Sequence, residues 1–140
     1  MNVEQTLRDV LSGWPLYHAD DHLMVVESGR STCIEYCGRS ALRPFSASSQ
    51  ICANPPNLLS LNITPARILY LVFIQVEPQS RGKGHGAALY DCVVEFARRM
   101  GCVEVIQTPS GGYQNQTREE YLLKRGWKLA GIEVSKRIEA

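Results

Sequence analysis

The segment RILYLVFIQVEPQSRGKGHGAALYDCVVEFARRMG, residues 67–101, limits the fold more than any other part of the chain. RILYLVFIQV is an apolar, β-branched run ended by Pro78, which predicts a buried central strand. Further on, Leu89, Val93, Phe96, Ala97 and Met100 make one stripe at helical spacing, Arg98 and Arg99 suit a last turn, and Gly101 supplies a stop. Between strand and helix stand Gly82, Gly84 and Gly86 at alternate positions. Glycine in a helix costs about 1 kcal/mol relative to alanine, so three together imply that something must come close to the backbone. A strand that turns through glycines into a helix presents unpaired N–H groups and about half a positive charge, an anion site made of main chain. A phosphate ester is its natural guest.

Three phosphate-binding patterns compete for this turn. The pattern G-x-x-x-x-G-K-[ST] fails, because no Lys-Ser or Lys-Thr follows a glycine at that spacing. The dinucleotide fingerprint is nominally met by GKGHGA, but EPQSR separates it from the strand and too little chain follows for several βαβ units. The third pattern, R/Q-x-x-G-x-G/A, is met by Arg81, Gly84 and Gly86 after Val76-Glu77-Pro78. With these residues the segment resembles the GNAT superfamily of N-acetyltransferases, whose signature is a strand ending in Val-x-Pro, then R-G-x-G-x-G, then a helix. The similarity runs from about residue 67 to residue 127 and includes KRGWK, similar to the family's Gly-aromatic step.

That resemblance implies an α/β fold: a mixed, mostly antiparallel central sheet flanked by helices and splayed at the strand before the glycine turn. It implies acetyl-CoA as cofactor, its pyrophosphate cradled by main-chain N–H groups of Arg81, Gly82, Lys83, Gly84, His85, Gly86 and Ala87. Side chains on alternate residues would block that approach, and the glycines remove them. Ile74 and Val76 are implied to pair through their backbone with the pantetheine arm. The reaction implied is direct attack of an amine on the thioester, with an acid protonating the thiolate. In the family that acid is a tyrosine within N-x-x-A-x-x-x-Y; Asn115 matches the first position and is counted with both the cofactor and the catalytic residues, but the last position holds Leu122. Tyr121, one residue off and turned about 100° around the helix, with a core aromatic as its alternative, and Tyr113, in the preceding loop, are the candidates that remain. The central strand offers no carboxylate, which favours a water-relayed base; Glu77 and Glu104 are available and equally suited to solvated surface positions. Cys92 reads as core packing rather than as a nucleophile, since no basic residue is paired with it.

The remaining sequence bounds the reading. At 140 residues the chain is expected to be one domain, 1–140, able to bury a core without staples. Fifteen basic against 14 acidic side chains, scattered, give no nucleic-acid surface. No run approaches the roughly 18 apolar residues of a membrane span, and no signal peptide is apparent, so a soluble cytoplasmic protein is expected. Five cysteines, embedded in apolar runs, suit reduced core thiols. His18, His22, Cys33 and Cys37 resemble two ligand pairs, but two cysteines four residues apart on a strand are separated by roughly 13 Å, too far for one zinc; no metal is expected.

Asn2 and Gln5 predict a capped first helix with Val3, Leu7, Val10 and Leu11 on one face, stopped by Gly13 and Pro15. Strands are expected near 22–28 and 32–37, joined at SGRS, and a long proline-containing loop over 38–66 that hides elements or carries function. VEVIQT reads as a strand, TREEYLLKRG as a short helix with a capping box from Thr117 to Glu120, and AGIEVSKRI as one closing strand. The acceptor is an amine of unspecified kind; homodimers are common in the resembled family and the oligomeric state stays open. Two other readings remain: a noncatalytic module that keeps the CoA turn or only the fold, and a nucleotide-dependent enzyme.

Overall fold

The structure, a computed structural model, describes residues 2–38, 57–76, 84–107, 120, 122–130 and 133–138. Helix α1 (Val3–Leu11) begins where Asn2 Oδ1 accepts the Gln5 backbone N–H at 2.9 Å. Only half of the expected capping box forms, because the Gln5 amide reaches forward to Asp9 at 2.8 Å. Leu7, Val10 and Leu11 are buried along its inner face. Two strands follow, β1 (His22–Ser28) and β2 (Ser31–Gly38), joined by a turn in which Gly29 takes a φ of 63°.

Beyond them come β3 (Asn57–Ile63), β4 (Ile68–Gln75), α2 (His85–Arg99), β5 (Glu104–Gln107), β6 (Lys128–Ala130) and β7 (Glu133–Arg137). Among the described residues seven strands form one sheet in the order β1-β2-β3-β4-β5-β7-β6. Every pairing is antiparallel except β4 with β5. That parallel step is the one that needs a crossover, and α2 supplies it. The run after Arg67 is therefore the fourth of seven strands, as its unbroken apolar composition requires.

The expectations for the two ends of the sheet need correction. The stretch 38–66 contains β3, whose burial alternates from Asn57 through Leu61 with Asn57, Leu59 and Leu61 inside. Leu58 blurs that period-two signal and the preceding prolines mask it. The single closing strand is a hairpin: β6 pairs antiparallel with β7, and β7 lies between β6 and β5. The predicted helix near residue 120 is represented among the described residues by 120 and 122–124, with Gly126 at φ 92° beyond them; its capping box lies outside the described residues.

One face of the sheet carries the core. Leu23, Ile34, Tyr36, Leu59, Leu61, Leu69, Leu71 and Val105 meet Leu7, Leu11 and Trp14 from the α1 side and Leu89, Val93, Phe96 and Ala97 from α2. Cys37 and Cys102 are buried as expected, whereas Cys33, four residues before Cys37 on the same face of β2, is exposed, so the reading of all five cysteines as core thiols does not hold there. Among the described residues no group of three or more His, Cys, Asp or Glu side chains converges on a metal position, and no helix is long and apolar enough to cross a membrane.

The far end of α2 is closed by Arg67. This residue adopts a φ of 63°, and its guanidinium donates to the Gly101 carbonyl at 2.7 Å and the Met100 carbonyl at 2.8 Å. A cation thus satisfies carbonyls that a helix C-terminus leaves over, with Arg98 and Arg99 in the same last turn. The start of β4 and the end of α2 are tied together, which brings the end of β4 and the start of α2 face to face.

Candidate cofactor site

Strand β4 runs on past the described part of β5. Their register runs from Ile68↔Glu104 to Leu71↔Gln107, and among the described residues no later pair exists, while β4 continues to Gln75. At the same level the β3–β4 register shifts between Ser60 and Leu61, leaving Val72 as the extra residue of a bulge. The bulge switches the inward-facing positions from Leu69 and Leu71 to Ile74 and Val76, and exposes Val72 and Phe73. The inward-facing end of β4 is therefore set by the bulge, next to the start of α2.

Helix α2 starts beside this end of β4. Its N-cap is Gly84, in the left-handed region at φ 82°, with no side-chain cap and no acidic residue in the first turn. The first intrahelical bond runs from the Ala88 N–H to the Gly84 carbonyl at 3.0 Å, so the N–H groups of His85, Gly86 and Ala87 have no helical acceptor. A Cβ built on Gly84 would enter open space, whereas one on Gly86 would lie 4.0 Å from a Val76 methyl. Gly86 is thus a point of contact between the helix and the end of β4, and Gly84 borders the open side. An anion fits this cradle and a cation does not, because uncapped donors and the helix dipole both face outward.

Two contacts that the sequence does not announce support the site. The Trp14 indole N–H donates to the His85 carbonyl at 2.9 Å. On the other flank the Tyr90 hydroxyl donates to Oε1 of Gln107 at 2.8 Å, holding the last described residue of β5, and the Tyr90 ring meets Trp127 edge-on. Gln107 is buried, and a buried polar side chain needs such a partner. Neither contact could be found from periodicity, since each joins residues distant in sequence.

Of the residues expected at the cofactor turn, Ile74, Val76, Gly84, His85, Gly86 and Ala87 are described and are brought together at the β4–α2 junction. Arg81, Gly82 and Lys83 lie outside the described residues, as do Glu77 and the catalytic candidates Tyr113, Asn115 and Tyr121. Leu122 is fully buried in the core with Trp127. Glu104 stands opposite Ile68, at the other end of β4 from Val76, a separation of roughly 26 Å at about 3.3 Å per residue. It belongs to the surface and not to this site. Cys92 is half-buried, its Sγ 3.8 Å from the Val10 carbonyl, and burial pushes its thiol up to about 11, with Asp91 adding to the effect. A thiol so protonated is a packing group, not a nucleophile.

A family profile described as acetyltransferase (GNAT) family matches residues 9–127. Among solved structures the chain is similar to a protein assigned to the GNAT acetyltransferases from Desulfovibrio desulfuricans, with 16% identity, a TM-score of 0.57, and coverage of 76% of this chain and 69% of that one. It is also similar to nourseothricin acetyltransferase, with 16% identity, a TM-score of 0.54 and coverage of 88% and 87%. A third likeness is to PaiA N-acetyltransferase from Thermoplasma acidophilum in complex with coenzyme A, with 14% identity, a TM-score of 0.51 and coverage of 75% and 60%. No curated protein matches the sequence at a significant level. At such identities the structural likenesses establish a shared fold.

Proposed function

Because the chain belongs to the GNAT acetyltransferase family, we propose that it transfers an acetyl group from acetyl-CoA to a primary amine by direct attack. The observation that carries the proposal is the end of β4 set against a helix N-terminus that has no side-chain cap and is lined by Gly84 and Gly86. When bound, acetyl-CoA supplies a thioester whose carbonyl carbon an amine can attack without a covalent enzyme intermediate.

The residues divide the remaining tasks. The N–H groups of His85, Gly86 and Ala87, together with those of Arg81, Gly82, Lys83 and Gly84, bind phosphate oxygens. The backbone of Ile74 and Val76 aligns an extended arm against β4, and a β4 N–H aimed at the developing oxyanion stabilises it. Holding donor and amine in contact supplies roughly 7 to 11 kcal/mol of the barrier reduction. Ile74 and Val76 close the α2 side with apolar groups, so water is excluded there. Tyr121 and Tyr113 are proposed as donors to the departing thiolate, with Asn115 in the same segment. A proton acceptor for the amine is proposed to act through water.

Calorimetric titration with CoA, with NAD and ATP as controls, tests the binding step, and acetylation of a panel of primary amines tests the transfer. Stabilisation by NAD or ATP and none by CoA overturns the proposal. A second reading, a noncatalytic CoA-binding module, draws on one observation: Leu122, at the position where family resemblance expects the tyrosine acid, is committed to the core. CoA binding with no transfer to any amine would favour it.

A further inference from the structure

The glycines that open the cradle also strip the first turn of α2 of the side chains that would pack it in place. Gly84 and Gly86 offer only backbone, and the nearest side-chain contact for a Cβ on Gly86 is one Val76 methyl. A phosphate site needs its N–H groups aimed consistently, so something else has to fix this turn. We infer that Trp14 is a positioning residue for the cofactor site, holding the His85 carbonyl and thereby setting where the first-turn N–H groups point; this rests on the CoA reading above.

The geometry of the clamp is specific. Trp14 is 2% exposed, and its indole N–H reaches the His85 carbonyl at 2.9 Å from a position 71 residues earlier in the chain. That carbonyl belongs to the same turn as the three outward N–H groups. In a regular helix it already accepts the N–H four residues on, so the indole bond locates the turn rather than rescuing an orphaned acceptor.

Trp14 itself cannot swing. Its backbone N–H is bound to the Leu11 carbonyl at 2.8 Å, and its carbonyl accepts the Tyr17 N–H at 3.0 Å. Its ring meets Tyr36 edge-on, with centroids 6.5 Å apart and planes at 74°. Tyr36 is fully buried and donates its hydroxyl to the carboxylate of buried Asp21, whose backbone carbonyl is held by Arg8 at 3.0 Å.

A second seam between the two helices lies where Cys92 touches the Val10 carbonyl, seven residues along α2, or about 10 Å at 1.5 Å per residue. Two seams fix a tilt where one allows a pivot. Loss of the front seam leaves the first turn free to move about the rear one while the core contacts of α2 persist.

The test uses the full chain with CoA as the probe. Trp14→Phe keeps an aromatic ring in the core and removes the indole donor; CoA should bind about five- to tenfold more weakly, the effect of one lost hydrogen bond and a looser turn. Val134→Ala, a buried change on β7, is the control: it should lower the melting temperature and leave CoA affinity unchanged. An unaltered CoA affinity in Trp14→Phe, or an equal loss in Val134→Ala, overturns the inference. The chain has two tryptophans, so Trp127→Phe, once calorimetry has shown that it still binds CoA, leaves Trp14 as the sole tryptophan emitter, and this readout holds even if Trp14→Phe fails to fold. Its emission should change saturably with the calorimetric midpoint; silence through a CoA titration overturns the inference as well. Wild-type protein that binds no CoA overturns the cofactor reading and this inference together, whereas wild-type binding with an unaffected Trp14→Phe overturns the inference alone.

Discussion

Alanine at Gly84 and alanine at Gly86 should act in opposite directions, although both add one methyl to the same turn. At Gly84 the φ of 82° lies in the left-handed region, which costs an ordinary L-residue roughly 1–2 kcal/mol. Part of that is offset, because the unfolded chain loses freedom worth about 0.4–1 kcal/mol on the same substitution. A net destabilisation of about 1 kcal/mol is expected, a fall of roughly 3 °C in melting temperature for a domain of this size. The methyl itself meets no atom of the described residues within 4 Å, so a clash with them is not part of the cost. It enters the space assigned to the cofactor, or else the backbone relaxes and re-aims the N–H groups, and either way CoA affinity should fall at least tenfold. At Gly86 the backbone is helical and the methyl would lie at an ordinary 4.0 Å from Val76. Alanine there should stabilise the protein by about 0.5–1 kcal/mol through reduced backbone entropy and better helix propensity. CoA affinity should stay within about threefold, as the pattern R/Q-x-x-G-x-G/A already admits alanine at this place. Differential scanning calorimetry and CoA titration on the two variants give four numbers. A Gly84→Ala protein that binds CoA as tightly as wild type, or a Gly86→Ala protein that is the less stable of the two, would refute the reasoning.

Leu122→Tyr should lower stability by about 1–3 kcal/mol by overpacking a fully buried position, without any gain in acetyl transfer; denaturant unfolding and a turnover assay check both. Tyr36→Phe removes the hydroxyl donated to buried Asp21 and should cost about 1–3 kcal/mol in the same unfolding assay. The Glu95 carboxyl is held down at about 2 by hydrogen bonds from Arg98 and Arg99. Because its folded value lies below the unfolded one, its contribution is present above about pH 4.5 and is lost as pH falls toward 2. The melting-temperature gap between wild type and Glu95→Gln should therefore be small near neutrality, given the exposure of the pair, and should close by pH 2. A thiol reagent at neutral pH should modify exposed Cys33 well ahead of Cys92, so that Cys33→Ser removes one rapidly reacting equivalent and Cys92→Ser removes none.

The parts of the fold that were legible in the sequence are those where composition and local geometry coincide. An unbroken apolar run can only be an inner strand, and a stripe at helical spacing closed by Arg98, Arg99 and Gly101 can only be a helix packed on one side, so β4 and α2 followed directly. Strand β3 did not, because Leu58 breaks its alternation and prolines precede it, while its real warrant is pairing with Tyr36 on one side and Ile74 on the other. The terminal hairpin was hidden for a related reason: β6 has three residues, too few to show a period. At the site, glycine positions report backbone requirements and were readable. Trp14 with His85 and Tyr90 with Gln107 are long-range partners whose meeting depends on the completed sheet, and no local pattern encodes them.

The Arg67 clasp constrains how this sequence can drift. A side chain on Gly101 would fall onto the Arg67 guanidinium, and the φ of 76° there disfavours one in any case. Conversely, the guanidinium can reach the Met100 and Gly101 carbonyls because nothing projects from Gly101. Positions 67 and 101 therefore behave as one unit of variation. A substitution at 101 carries the strain of its φ and pushes the Arg67 guanidinium off the carbonyls, and a small residue at 67 leaves the helix carbonyls to water or to a new cation nearby. A lineage that leaves the Arg-Gly pair gives up the clasp at its first step, whichever position changes first, and the two positions should be found to vary together.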